Sequence, residues 1–270
     1  MVSDERRAES GALSRTAPPG APHLWLRAEQ RENEERTPLM PDGIRALIAA
    51  GFRVTVEESP RRAVPLAGYR GAGAEIAPQG SWPSAPAGAI ILGLKELPDD
   101  GTPLTHRHIL FGHAFKGQPG APALLSRFRA GGGELLDLES LVDESGRRLA
   151  AFGHWAGFVG AALSLLAWAA QQNGERLGPA SPAPSQRALV ARVSAALDRG
   201  PRRPRVLIIG AKGRVGGGAL ALCDAADTPV TAWDIAETAH GGPFPEVLSH
   251  DVFLNCILAR AGCPVFVPAE

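Results

Sequence analysis

The sequence has few cysteines and no net charge. Cys223, Cys256 and Cys263 are the only thiols in 270 residues, too few and too scattered for a disulfide framework or a paired-thiol zinc site. A reducing cytoplasm is therefore the predicted location. The 28 basic and 28 acidic residues cancel, so no global field recruits nucleic acid or an anionic membrane. We expect a small-molecule partner instead.

Long apolar runs are also scarce. Residues 1–22 mix charges with Pro, Ala and Gly, which excludes a secretory signal and predicts a disordered tail. One run, Leu149 to Ala170, has 22 residues without a charge and is long enough to cross a bilayer. It is dominated by Ala and Gly and contains His154, so we interpret it as a buried helix between two domains. Gly153 and Gly157 would let another backbone approach it closely.

The rest of the first half alternates short apolar runs with helical patterns. A helix is predicted from Pro41, ended by Gly51 in a left-handed conformation. Strand-like runs follow at 52–57, 89–94, 108–115 and 134–138, with a helical segment at 122–130. This alternation predicts an α/β layer with a largely parallel sheet.

The second half repeats the alternation after a segment rich in Pro, Gly and Ser at 173–185, which is typical of a linker. A helix is predicted at 186–198, and the uninterrupted apolar strand 206–209 suits the centre of a parallel sheet. Further strands are expected at 230–233 and 251–258, with a short run at 264–268. The predicted organisation is a tail at 1–22, a substrate domain at 23–148, a helix and linker at 149–185, and a nucleotide-binding domain at 186–270.

A glycine-rich loop follows the strand 206–209 directly. Gly210 permits a tight turn, Gly213 lets a pyrophosphate approach the backbone, and Gly216 lets helix and strand pack. Asp234 ends the next strand, close to the offset of about 20 residues at which an acid binds an adenosine ribose. The pattern predicts NAD rather than NADP, because the carboxylate would repel a 2′-phosphate. An ordinary βα turn is the alternative, whereas a P-loop is excluded because no Gly-Lys-Ser/Thr follows. The candidate cofactor residues are Gly210, Lys212, Gly213, Arg214, Val215, Gly216 and Asp234.

Chemically active side chains stand where three predicted strands end. Lys95 follows the run at 89–94, His113 lies near the end of the run at 108–115, and Glu139 follows the run at 134–138. Ligands of open parallel sheets bind beyond the carboxyl ends of the strands, so these groups could supply a proton acceptor, a proton donor and a charge that tunes both. Taken singly, each could equally be an ordinary solvated or ion-paired strand end. Arg27, Glu29, Glu34 and Arg36 form a charge cluster after Leu24 and Leu26. Arg27 could clamp a substrate carboxylate, while most of the cluster is interpreted as solvated.

These segments resemble the NAD-dependent, lysine-forming saccharopine dehydrogenases. The strings that carry the resemblance are Leu26-Arg27-Ala28-Glu29 with Glu34-Glu35-Arg36-Thr37, Gly93-Leu94-Lys95-Glu96-Leu97-Pro98, His108 to Lys116, Leu138-Glu139, Gly146 to Gly153, the Gly210 loop, Trp233 to Thr238 and Gly241-Gly242-Pro243-Phe244. The likeness runs in unbroken order from about Leu24 to Ala259. Alanine dehydrogenases share the broader architecture.

The resemblance implies two Rossmann-like domains with parallel sheets and a reaction in the cleft between them. It implies hydride transfer from a secondary amine to NAD, followed by hydrolysis to lysine and 2-oxoglutarate. By position, Lys95 and His113 resemble the acid–base pair and Glu139 the neighbour that tunes them. Arg27 and Arg148 resemble carboxylate anchors, with Arg147, Lys116, Gln118 and Phe152 as further members of the site.

Two departures from the family pattern qualify the expectation. Gln30-Arg31-Glu32 stands where the family commonly has Thr-Lys-Pro, and the chain stops at Glu270 before a six-stranded binding domain is complete. We therefore expect a C-terminally truncated second domain and a marginally folded or associating chain. Two alternatives stay open: a deaminase similar to alanine dehydrogenase that acts on a primary amine, and an inactive nucleotide-binding remnant.

Overall fold

The computed structural model describes residues 20–259, 262–263 and 265–268. The predicted tail before residue 20 lies outside the described residues. The chain divides into two compact units, one ending at Ala150 and the other beginning at Ala151.

The first unit is an α/β layer built on one parallel sheet. In chain order it contains β1 (His23–Leu26), α1 (Pro41–Ala49), β2 (Arg53–Glu57), α2 (Leu66–Gly71), β3 (Glu75–Ala77), β4 (Ile90–Leu92), β5 (Arg107–Leu110), α3 (Ala121–Gly131) and β6 (Glu134–Asp137). The helix α1 begins at Pro41, whose fixed φ suits a first helical turn, and it buries Ile44. Gly51 follows at φ 92°, so the predicted left-handed end of this helix is confirmed.

The strand order in this sheet is β3-β2-β1-β4-β5-β6, and every neighbouring pair is parallel. This is the doubly wound order: β2 and β3 are added on one side of β1, and β4, β5 and β6 on the other, so the strand order reverses between β1 and β4. Two apolar clusters cover the sheet, one around Leu26, Val56 and Tyr69 and the other around Ile91 and Leu110. The predicted fold class, α/β with a parallel sheet, is confirmed.

The sequence patterns missed two strands of this sheet and overextended a third. The central strand β1 is only four residues long and runs directly into a charge cluster, and β3 has three residues, so neither shows a readable alternation. The predicted strand 108–115 ends at Leu110. Residues 111–115, including His113, therefore form a loop, because Gly112 and a left-handed His113 interrupt the extended backbone.

The second unit contains α4 (Gly153–Gln172), α5 (Gln186–Leu197), β7 (Val206–Ile209), α6 (Arg214–Ala225), β8 (Val230–Trp233), α7 (Ile235–Thr238) and β9 (Val252–Asn255). Its parallel sheet has the order β8-β7-β9. All four residues of the central β7 are buried, as its uninterrupted apolar sequence predicts. The described part of the run 264–268 forms no strand.

The helix α4 is the one helix in the described residues that is long and apolar enough to cross a membrane. It packs within the second unit, where Phe158, Ala162 and Leu165 join the cluster formed with α5, α6 and β7. Trp155 and Val159 on its other side are exposed. One face of α4 is therefore buried, as predicted, whereas the sequence suggested a helix that is buried all round.

Candidate functional site

Arg27 follows the central strand β1 and is buried, with 1% of its surface exposed. Its guanidinium donates hydrogen bonds to the carbonyl oxygens of Ala28, Lys95 and Glu96. It lies against Gly93, where a Cβ would overlap the guanidinium, and its burial lowers the pKa of this group. A direct contact between Arg27 and a substrate carboxylate would require the guanidinium to leave these carbonyls. The contacts in this structure join the end of β1 to the loop after β4.

Glu29 binds the main-chain N–H of Lys95, the residue whose carbonyl oxygen accepts a hydrogen bond from Arg27. Its carboxylate accepts hydrogen bonds from the N–H groups of Leu94 at 2.7 Å and of Lys95 at 3.0 Å, and it lies 3.6 Å from Arg27 Nη2. The N–H of Lys95 is thus held by Glu29 and its carbonyl by Arg27. Two buried charged residues that follow β1 therefore fix the main chain of Lys95, the predicted acid–base lysine.

Arg36 belongs to the charge cluster after β1, most of which the sequence predicts to be solvated. Its Nε and Nη2 donate to the two carboxylate oxygens of Glu34 at 2.7 and 2.6 Å. Glu34 is almost fully buried, while 54% of the Arg36 side chain is exposed. The hydrogen bond from Arg36 is the main reason that the pKa of Glu34 is lowered, and Lys95 adds to this effect through its charge. Arg36 is therefore a partly exposed guanidinium that is oriented by Glu34. In the sequence, only the family-like string Glu34 to Thr37 points to Arg36 as a site residue. The burial of Glu34, which orients Arg36, cannot be read from the sequence.

Four of the predicted site residues form a cluster just beyond β6, in which Arg148, Lys116 and His113 surround Glu139. Its Oε2 lies 2.7 Å from Arg148 Nη2 and 2.9 Å from Lys116 Nζ, and its Oε1 lies 3.6 Å from His113 Nδ1. Burial alone would raise the pKa of Glu139, but the hydrogen bond from Lys116 and the charges of Arg148, Lys116 and His113 together lower it. Glu139 is therefore a carboxylate at neutral pH, surrounded by basic groups.

His113 and Gln118 also line a cleft of about 390 Å³ beside the beginning of α3. Its wall includes the charged residues Glu96, Asp99 and Arg127. The cleft lies at the carboxyl ends of β4 and β5, the edge of the sheet at which ligands of this topology bind.

Arg147 and Phe152 lie outside this group, as do Arg27 and Lys95. Arg147 is exposed and pairs with Asp143, with 3.1 Å between Nε and Oδ2. Phe152 belongs to the second unit, where it immediately precedes α4 and is 48% exposed. Lys95 and His113 make no hydrogen bond or ion pair with each other in the part of the chain that is described. They follow the neighbouring parallel strands β4 and β5.

The glycine loop of the second unit has the geometry that its spacing predicts. Gly210 adopts φ 84°, and a Cβ on Gly216 would overlap the Gly210 carbonyl oxygen. Gly213 is the N-cap of α6 and provides no side-chain cap. The residue that precedes the first turn of α6 thus has no side chain with which to occupy the N-terminal N–H groups of the helix, an arrangement that suits phosphate binding.

Asp234 follows β8 and lines a cavity of about 590 Å³ together with Gly210 and Gly213. Its carboxylate accepts hydrogen bonds from the N–H groups of Lys212 at 2.7 Å and of Ile235 at 2.9 Å. These bonds lower the pKa of Asp234, the bond from Lys212 most of all. A carboxylate and an open helix start thus share one cavity, which fits a dinucleotide with a free ribose 2′-hydroxyl.

The sequence of the chain is similar to known enzymes. A sequence profile of the family described as "Alanine dehydrogenase/PNT, N-terminal domain" matches residues 25–159. The NAD-dependent, L-lysine-forming saccharopine dehydrogenase of Candida glabrata is 47% identical over 258 residues, covering 92% of this chain and 69% of the relative. That of Schizosaccharomyces pombe is 44% identical, covering 93% and 71%. Among solved structures, an L-alanine dehydrogenase is 17% identical with a TM-score of 0.49, covering 86% of this chain and 60% of that one.

Proposed function

The chain belongs to the family of NAD-dependent, lysine-forming saccharopine dehydrogenases, and from this we propose that it cleaves saccharopine oxidatively to L-lysine and 2-oxoglutarate, or runs the reverse reaction. The observation that carries the proposal is the 47% identity to such an enzyme over 92% of the chain. The chemistry of the two sites supports it, because one unit gathers acid–base and cationic groups and the other has a dinucleotide loop.

The first unit supplies the groups that handle protons. Lys95 and His113 act as the acid–base pair that takes a proton from the secondary amine and later serves the attack of water. Glu139 stabilises the positive charge of neighbouring bases, since its own lowered pKa keeps it ionised. Its Oε1 lies 3.6 Å from His113 Nδ1 and so helps to orient the imidazole ring.

Cationic side chains bind the substrate carboxylates, of which saccharopine has three. Arg148 and Lys116 lie at Glu139, and Gln118 lines the adjoining cleft. We propose that Arg36 contributes a guanidinium to the substrate site, because it is partly exposed and oriented by Glu34, whereas Arg27 is buried among main-chain carbonyls. Arg27 then acts on the substrate indirectly, through the Lys95 loop. Phe152, exposed before α4, remains a candidate for apolar contact with the substrate.

The second unit supplies the residues that would hold NAD: the main chain from Gly210 to Gly216, including Lys212, Arg214 and Val215, and the Asp234 carboxylate. When bound, NAD is the acceptor for the hydride that leaves the carbon beside the secondary amine. Gly213 would leave room at the start of α6 for the pyrophosphate, and the Asp234 carboxylate would accept a hydrogen bond from the ribose hydroxyl. We propose residues 23–148 as the substrate domain and 186–270 as the NAD-binding domain, with a cytoplasmic location, as the small number of cysteines in the sequence suggests.

The test is a substrate panel on the purified chain. We expect NADH to form with saccharopine and NAD, and NADH to be consumed with lysine and 2-oxoglutarate. Alanine with NAD is the matched control, and no NADH should form from it. Turnover of alanine without turnover of saccharopine would instead establish a deaminase, and NAD binding by calorimetry without any turnover would establish a nucleotide-binding remnant.

A further inference from the structure

The loop after β5 holds His113 in a conformation that residues with a Cβ rarely adopt. His113 has a φ of 50°, in the left-handed region that sterically favours glycine. Such a conformation persists only where surrounding contacts over-determine it. The chain therefore needs a group that fixes the backbone on both sides of His113.

The carboxylate of Asp137 is that group. Asp137 ends β6, lies opposite Leu110 of β5 in the sheet register and is buried. Its Oδ1 accepts a hydrogen bond from the N–H of Gly112 at 3.1 Å, and its Oδ2 accepts one from the N–H of Ala114 at 3.1 Å. The N–H groups of the residues before and after His113 are thus bound to one buried carboxylate.

The same carboxylate also holds Glu139. Asp137 Oδ1 accepts the N–H of Glu139 at 3.0 Å, and Glu139 Oε1 lies 3.6 Å from His113 Nδ1. Because one side chain holds both backbones, it sets the separation between the imidazole and the carboxylate that faces it. Asp137 is absent from the cavity walls described above, so its effect on these two residues is transmitted through their main chain.

We propose that Asp137 is a positioning residue of the acid–base site, which keeps His113 in its left-handed conformation and in register with Glu139. The catalytic part of this inference rests on the proposed function. An amide at this position could not replace the carboxylate, because its –NH₂ would point a donor at one of the three N–H groups. Asparagine would keep the shape of the side chain but would lose one of the two acceptor oxygens.

The first test is Asp137→Asn with steady-state kinetics. We expect kcat to fall by about 10- to 100-fold, since small displacements of a reacting group are costly, while KM for NAD changes by less than about twofold. The decisive measurement is the same substitution in a His113→Gln background. If Asp137 acts through His113, kcat should there change by less than about threefold, because residues that work as a unit are not additive. Multiplicative losses in the double variant would overturn the proposal.

Asp100→Asn is the matched control. Asp100 also accepts a main-chain hydrogen bond, from Thr102 at 2.9 Å, but half of its side chain is exposed. We expect its kcat to equal that of the wild type. If Asp137→Asn does not fold, Asp137→Glu is measured in the same way, because it keeps the charge and displaces the carboxylate.

Amide hydrogen exchange tests the positioning without substrate. In a folded Asp137 variant, the N–H groups of Gly112, Ala114 and Glu139 should exchange at least about tenfold faster than in the wild type, since each loses a buried acceptor. Exchange that is unchanged at all three positions would refute the positioning role. A wild type that exchanges as expected but does not turn over saccharopine would contradict the proposed function alone.

Discussion

The Asp234 carboxylate accepts two main-chain N–H groups and lies at the rim of the glycine-loop cavity. Asp234→Ala should weaken NAD binding by roughly 10- to 100-fold, the value of a charged hydrogen bond of about 1.5–3 kcal/mol. Titration calorimetry with NAD and NADP measures the effect. The ratio of NADP to NAD affinity should rise, because the charge that repels a 2′-phosphate is removed. An equal loss for both dinucleotides would mean that Asp234 only orders the loop.

His108 is a fully buried imidazole packed edge-on against Trp82 and Phe128. Neither of its nitrogens has a hydrogen-bond partner among the described residues. Burial, with smaller contributions from the charges of Arg27, His106 and Arg127, lowers the pKa of His108 from 6.5 to about 3. The folded chain therefore contains a neutral histidine over the pH range in which the unfolded chain binds a proton there.

This lowered pKa predicts acid sensitivity. As the pH falls from 6.5 toward 3, the unfolded state gains a proton that the folded state does not, so the free energy of unfolding should fall by up to about 1.4 kcal/mol per pH unit from His108 alone. In His108→Leu this contribution should disappear. Urea unfolding at several pH values measures both slopes. Identical slopes for variant and wild type would show that His108 is protonated or solvated when folded.

The contact between α4 and α6 is made by glycines. A Cβ on Gly157 would overlap the Val215 carbonyl oxygen, and one on Gly218 would overlap that of His154. This confirms the close backbone approach predicted from Gly153 and Gly157. Because α6 begins at the glycine loop, the spacing of these two helices also positions the main chain that we propose to bind NAD.

Adding a methyl group at this contact should separate the two helices. Gly157→Ala is expected to destabilise the chain by about 1–3 kcal/mol, as overpacking of a tight core does, and to weaken NAD binding. Gly160→Ala is the control, since a Cβ there meets no atom within 4 Å and alanine favours a helix by about 0.5–1 kcal/mol over glycine. Thermal melting and NAD titration of both variants test this; equal melting temperatures would contradict the contact.

The residues proposed for acid–base chemistry and those proposed for cofactor binding belong to different compact units. Lys95 and His113 belong to the first unit and the glycine loop to the second. Lys95→Met and His113→Gln should therefore lower turnover by about 100-fold or more while leaving NAD affinity within about twofold, because neither residue belongs to the unit that carries the glycine loop. Initial rates with saccharopine and calorimetry with NAD provide the measurements. A parallel loss of NAD affinity would place these side chains at the cofactor.

Local patterns in the sequence determined the α/β class, the uninterrupted core strand β7 and the glycine loop, because apolar periodicity and backbone-permissive glycines act over a few residues. They also identified Lys95, His113 and Glu139 as strand-end groups. The convergence of Lys116, Arg148 and His113 on Glu139, the burial of Arg27 and the exposure of Arg36 were decided only by the tertiary structure. Those features depend on which strands become neighbours and on how far each charged group is removed from water. The hold of Asp137 on His113 is of the same kind, since it joins residues of two strands through hydrogen bonds that no sequence spacing encodes.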